Sequence, residues 1–315
     1  TRGTTEAFKL VYNSYLRPML GPGDEILITH MEHQSNIVPW QMLRDATGAT
    51  LRVIPINERG ELLLDELESM LSERVKLLGI VHVSNALGTI NPVAEVCRLA
   101  KKYDIPVLVD GAQALPHTRV DVREIGCTFY CCSAHKRYGP TGIGALWAPE
   151  EILDAMPPWQ GGGEMIEKVT FEKTTWNRLP SKFEAGTPNI AGGVGWAAAV
   201  NYMEGVGVEA IAAHEHEVLE YATQRMNAIE GLRIIGTAAN KAGAISFTFG
   251  DVHPHDLGTI VDHFGVAIRT GHHCTMPLMQ FFKVPATARA SFGMYNTTEE
   301  VDVFIDALEK ARDMF

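Results

Sequence analysis

The chain has 315 residues, 46% hydrophobic and 21% charged, with a net charge of −11, the balance of a soluble globular protein larger than one ordinary compact unit. Its 27 Lys and Arg residues are scattered, leaving no basic stripe for nucleic acid. The longest apolar runs, residues 77–83 and 194–200, fall far short of the roughly 20 residues that cross a bilayer, so no membrane span is expected.

The sequence opens at Thr1, without an initiator Met, and runs at once into Gly3-Thr4-Thr5-Glu6, so an upstream segment is expected to be missing. That motif starts an amphipathic helix whose free N–H groups suit phosphate; an ordinary Thr N-cap is the plainer alternative. Apolar runs at Glu25–Thr29, 51–56, 77–83, 106–110, 128–133 and 143–148 predict strands. Between them, segments 40–46, 63–71 and 92–102 carry apolar residues at helical spacing. Such alternation predicts an α/β unit with a mainly parallel sheet covered on both faces. Ligands of these sheets sit at the carboxyl ends of the strands.

Segment 161–183, rich in Gly, Glu and Lys, reads as an excursion at a site or interface. Beyond Gly192 the spacing predicts helices over 194–203 and 209–229, then strands near Leu232–Ile235 and Ala244–Phe249. A helix over 254–264, strands near 266–269 and 286–292, and an amphipathic helix over 298–313 follow. Residues 1–203 are therefore expected to form a large domain and 204–315 a smaller α+β domain, joined by a long helix.

Two strand ends carry chemistry. Ser133-Ala134-His135-Lys136 follows the run 128–132 and precedes a glycine-rich turn, a place where a lysine can be desolvated enough to work as a nucleophilic amine. Asp110 ends another apolar run, followed by Gly111-Ala112-Gln113. A buried carboxylate there must pair or take up a proton, and a protonated pyridine nitrogen would serve. Alone, Lys136 could be a turn lysine and Asp110 a helix cap; together at strand ends they are far more specific.

Five cysteines, at 97, 127, 131, 132 and 274, form no CxxC pair and no regular framework, which fits a reducing, cytoplasmic setting. Cys131 and Cys132 in a predicted strand, Cys97 in a predicted helix and Cys127 beside the strand read as packing residues. Cys274 instead follows Arg269-Thr270-Gly271-His272-His273, a loop that suits a reactive thiolate near positive charge.

These blocks, with Met31-Glu32-His33-Gln34-Ser35-Asn36, His82 to Gly88, Phe183 to Asn189 and Ala288-Arg289-Ala290-Ser291, resemble in set and order the class V aminotransferase-like, fold type I pyridoxal 5′-phosphate (PLP) enzymes, and among them the SufS-type (group II) cysteine desulfurases. The resemblance implies that Lys136 carries PLP covalently, Asp110 pairs with its ring nitrogen, Gln113 bonds its phenolic oxygen and His33 stacks on the ring as a further catalytic group. Thr5, Ser133 and His135, helped by Thr4, would hold the phosphate, with Thr187 reaching the phosphate of the other subunit of a homodimer. Asn85 and Arg289 would bind the carboxylate of L-cysteine, and Arg269 would line the entrance. The freed Lys136 amine would take the α-proton and Cys274 would attack the substrate sulfur, leaving alanine and a persulfide for an acceptor protein in iron–sulfur cluster assembly.

The short cysteine loop and segment 161–183 match that group, whose members also carry a further N-terminal stretch near the active site. His255, in His253-Pro254-His255-Asp256, resembles a histidine that exchanges into the zinc site of a SufU-type acceptor; a SufE-type acceptor is the other possibility. Rival readings are a selenocysteine lyase or cysteine sulfinate desulfinase, and a non-catalytic metal-binding subunit using His253, His255, His272, His273 and Cys274. No second Cys/His set completes a tetrahedral zinc site for the latter.

Overall fold

The computed structural model describes residues 1–314. Five short apolar runs form parallel strands: β1 (Glu25–Thr29), β2 (Thr50–Ile54), β3 (Val75–Val81), β4 (Val107–Asp110) and β5 (Phe129–Ser133). With β6 (Gly144–Trp147), antiparallel to β5, they make a six-stranded sheet in the order β2-β1-β3-β4-β5-β6. Strands β1, β4 and β5 are buried at every residue, as expected for strands covered on both faces.

Alternate side chains serve the two faces. Leu27, Leu78, Ile80 and Val109 meet Leu67 of α3 (Leu64–Met70) and Val96 and Leu99 of α4 (Val93–Lys101) on one side. Ile26, Ile28, Leu108 and Phe129 meet Phe8 of α1 (Thr4–Leu10) and Trp40 and Leu43 of α2 (Val38–Thr47) on the other. Because β1 to β5 run in one direction, the segments after Thr29, Val81, Asp110 and Ser133 emerge along the same edge of the sheet, and the chemistry-bearing motifs follow these ends.

Short helices α5 (Val122–Ile125) and α6 (Glu150–Ala155) flank the last strands, and segment 161–183 contains a hairpin of β7 (Ile166–Val169) and β8 (Thr174–Trp176). The long α7 (Ile190–Val206), in whose last turn the expected division at 203/204 falls, leads through Gly207 into α8 (Val208–Asn227). A second sheet, ordered β11-β12-β10-β9, is antiparallel. Its strands are β9 (Leu232–Ile235), β10 (Ala244–Phe249), β11 (Arg269–Gly271) and β12 (Thr287–Ser291). Its core joins Phe247 and Ala288 to Leu219 and Met226 of α8, Leu257 and Val261 of α9 (Pro254–His263), and Phe304 and Leu308 of α11 (Thr298–Arg312). A capping box of Thr297 and Glu300 starts α11.

The expected strand near 266–269 is displaced: β11 begins only at Arg269. The amides of Phe264 and Val266 both donate to Val261 O, and Gly265 takes φ +80°, so this stretch is the left-handed exit of α9. Val266 and Ile268 still pack on the core, which explains their strand-like alternation.

A fourth cluster joins the two sheets: Met31, Val81 and Leu87 pack with Ile235 and with Leu278 and Met279 of α10 (Met276–Phe281). Gly88, at φ +75°, lets the loop after β3 reach the second sheet; a Cβ there would meet Ala244 O at 2.6 Å and Ala242 O at 2.8 Å. Among the described residues no helix is long and apolar enough to cross a membrane.

Candidate active site

The strand ends and the start of α1 enclose a cavity of about 240 Å³. Lys136, Asp110, Gln113 and His33 face it together, as do Thr4, Thr5, Ser133, His135 and Asn85. Beside it a second chamber of about 140 Å³ shares Asn85 and Gln113 and adds Arg289 and Ser291.

Lys136 sits in the short turn that continues β5 and opens to the cleft. Desolvation comes first in lowering its pKa, followed by Arg289 and Arg269, against the opposing pull of Asp110 and Cys274. An amine so placed is easier to deprotonate than an ordinary lysine. Asp110 is 4% exposed, accepts a hydrogen bond from Ala112 N at 3.0 Å and forms an ion pair with no residue among those described. Burial pushes its carboxyl up to about 6. A buried carboxylate that makes no ion pair is the feature the ring nitrogen of PLP would complete, and with a lysine facing the same cavity the residues fit that cofactor.

His33 is the N-cap of a short 3-10 turn, and its Nδ1 accepts from Ser35 N at 3.1 Å. In the neutral ring the proton then lies on Nε2. Desolvation, then Lys136 and Arg269, lower its pKa, which disfavours the charged ring. Glu32, buried beneath it, accepts from Thr29 Oγ1 and Asn36 Nδ2 at 2.5 Å each and from Val81 N at 2.9 Å, tying the loop after β1 to the end of β3. On the α1 side, Thr4 N and Thr4 Oγ1 both lie 2.8 Å from Ser133 Oγ, and Thr5 Oγ1 lies 2.9 Å from Ser35 Oγ. Thr4 is therefore engaged in holding Ser133, while Thr5 is the more exposed hydroxyl.

Arg269 and Arg289 are register partners on β11 and β12. Arg289 donates from Nη1 to Asn85 O at 2.6 Å and from Nε to Ser291 Oγ at 3.1 Å. Desolvation and then Arg269 lower its pKa to about 10, against the pull of Cys274, the state of a half-buried cation in no ion pair among the described residues. Cys274 is half-buried. Its carbonyl accepts from Gln34 N at 2.8 Å, and the His273 carbonyl accepts from Asn85 Nδ2 at 2.6 Å, so the loop is strapped to the segments carrying His33 and Asn85.

Thr187 and His255 lie outside both chambers and are exposed, Thr187 just ahead of α7 and His255 in the first turn of α9. Among the described residues no three His, Cys, Asp or Glu side chains gather as a metal site. Sequence reasoning missed Glu32, Ser35, Ala112 and Thr287. Glu32 and Ser35 had a signal, being polar residues inside the His33 block; Thr287, 2.8 Å from His273 Nε2, had none.

The family model described as aminotransferase class-V matches residues 1–304. A "probable cysteine desulfurase" of Halalkalibacterium halodurans is 49% identical over all of this chain and 77% of its own length. A "cysteine desulfurase" of Cronobacter sakazakii is 51% identical over 98% of this chain and 76% of its own. Among solved structures, the cysteine desulfurase CsdA of Escherichia coli superposes with a TM-score of 0.96 at 36% identity, covering 100% of this chain and 78% of that one.

Proposed function

The chain belongs to the class-V aminotransferase family, and we propose that within it this protein is a PLP-dependent cysteine desulfurase that converts L-cysteine to L-alanine and retains the sulfur on Cys274. The observation that carries the reading is the single cavity shared by Lys136 and the uncompensated Asp110, with Arg289 and the Cys274 loop strapped alongside. Relatives that share about half of this chain's residues over nearly its whole length carry the same activity in their names.

PLP, when bound, supplies the electron sink for chemistry at the substrate α-carbon. Lys136 would anchor the cofactor, and its Nζ would take the α-proton of the substrate. Asp110 would hold the ring nitrogen, Gln113 the phenolic oxygen, His33 the ring face, and Thr5, Ser133 and His135 the phosphate. Arg289 and Asn85 take the substrate carboxylate, with Arg269 at the entrance. Cys274 attacks the substrate sulfur: an S–S bond forms, the C–S bond breaks with its electron pair going to the carbon side, and protonation there leaves alanine. A shift in the visible spectrum on adding L-cysteine, followed by mass spectrometry of the Cys274 peptide, tests this. A colourless protein, or persulfide only on another cysteine, would overturn it. Comparing alanine release from cysteine, selenocysteine and cysteine sulfinate separates the desulfurase reading from its rivals.

Asp110→Asn is expected to retain PLP but to lose about 100-fold in turnover, equivalent to ~2.7 kcal/mol in the barrier, because the ring nitrogen loses its counter-charge. Steady-state rates on variant protein with matched PLP absorbance check it; unchanged rates would refute the pairing.

The finer reading is a SufS-type enzyme, a cytoplasmic homodimer with a domain division near 203/204, that hands sulfur to an acceptor for iron–sulfur cluster assembly. Its dimer is supported by α7, where Ile190, Val194, Tyr202 and Val206 leave a largely exposed apolar face next to Thr187. A SufU-type acceptor is favoured over a SufE-type one because His255 is exposed on α9, the helix packed on β11 just before the cysteine loop, and a neutral imidazole is a good zinc ligand. His255→Ala is expected to spare PLP binding and persulfide formation while abolishing stimulation by a zinc-loaded SufU-type protein. Full stimulation of the variant would exclude the exchange.

A further inference from the structure

We propose that Asn85 is the positioning residue for the Cys274 thiol, its amide holding the cysteine loop in place until a carboxylate taken up by Arg289 loosens that hold. The inference rests on the proposed roles of Cys274 and Arg289 and concerns how the two are coupled.

The loop is held in a conformation it would not choose. His273 and Cys274 are consecutive non-glycine residues at φ 52° and φ 60°, a left-handed geometry that persists only where the surroundings impose it. Five hydrogen bonds do so, one of them closing the turn from Thr275 N to His272 O at 2.9 Å. Gln34 N donates to Cys274 O at 2.8 Å, Thr275 Oγ1 donates to His272 O at 2.8 Å, His273 Nε2 lies 2.8 Å from Thr287 Oγ1, and Asn85 Nδ2 donates to His273 O at 2.6 Å. Of these anchors, only Asn85 offers a side chain that also faces both chambers.

Asn85 is also where Arg289 rests. Its backbone carbonyl takes the 2.6 Å bond from Arg289 Nη1, while its Oδ1 is buried with no partner. One residue thus links the guanidinium expected to meet substrate with the carbonyl adjoining Cys274. A carboxylate is a stronger acceptor than a neutral carbonyl. Arriving at Arg289, it competes with Asn85 O for Nη1 and, through Nδ2, with His273 O. Each exchange removes restraint from the left-handed pair, so the thiol gains freedom to move once a substrate is seated.

The test is the alkylation rate of Cys274 by iodoacetamide in the PLP-loaded protein, followed by peptide mass spectrometry and taken at its high-pH limit. The other cysteines serve as an internal control, being buried thiols that desolvation raises, Cys97 and Cys127 to about 12 and Cys132 to about 11. Propionate is the probe, a carboxylate with no amine to react with the cofactor. Asn85→Ala is expected to alkylate about tenfold faster than wild type, the loss of one well-made hydrogen bond. Propionate should accelerate the wild type several-fold and leave the variant unchanged, a response that a purely structural role would not produce. Equal rates in wild type and a PLP-binding Asn85→Ala variant would overturn the proposal, as would propionate that fails to accelerate wild-type alkylation. Should the variant not fold, the propionate arm on wild type decides alone. Persulfide mapping keeps the two readings apart: a propionate response without persulfide on Cys274 defeats the proposed function and leaves the clamp standing, and the converse defeats only the clamp.

Discussion

Lys136→Ala is expected to lose at least about 10⁴-fold in L-cysteine turnover, the upper range for removing a positioned proton-transfer group. Two roles fall together in this variant. The amine proposed to anchor the cofactor is gone, and so is the group proposed to receive the α-proton. Among the described residues no other lysine lines the cavity. The two guanidiniums that already depress the Lys136 amine, Arg289 and Arg269, do not deprotonate under working conditions. The check is alanine release by purified variant reconstituted with excess PLP, together with dialysis of the cofactor, which should leave the variant but not the wild type. Turnover within tenfold of wild type would show that the essential base lies elsewhere.

Cys274→Ala is expected to separate the two halves of the reaction: binding of PLP and of L-cysteine persists, while persulfide and delivery to an acceptor disappear. The other four thiols cannot substitute. They are buried in β5, in α4 and, for Cys127, in the connection just before β5, and burial raises their pKa, with Cys131 pushed well above its ordinary value; the thiolate, which burial disfavours, is the nucleophile. The visible spectrum should therefore still respond to added L-cysteine while sulfide trapping finds no bound sulfur. Bound persulfide at wild-type stoichiometry in this variant would remove Cys274 from the mechanism.

Much of this architecture was legible in the chain. Parallel strands buried on both faces must be continuous apolar runs, so β1, β3, β4 and β5 announce themselves, and a polar residue ending such a run, as Asp110 and Ser133 do, marks the functional edge. The failures are equally physical. Residues 266–268 alternate like a strand because Val266 and Ile268 reach the core from a helix exit. Helix α10 is too short for its period to emerge. The bonds from Asn85 to His273 and from Arg289 to Asn85 join residues 188 and 204 positions apart, and one of the two partners in each is a backbone carbonyl, which has no residue-type signature at all.

The apolar cluster joining the two sheets also bears on how the chain is made. Met31, Val81 and Leu87 emerge early in synthesis, but their packing partners Ile235, Leu278 and Met279 come from the last third of the sequence. Until those arrive, the edge of the large sheet that carries the cofactor motifs is without its apolar cover, a surface prone to stray association in a partly made chain. Completion of that edge therefore waits for residues 235–279, and the same late packing step that finishes the core delivers the Cys274 loop to its strap.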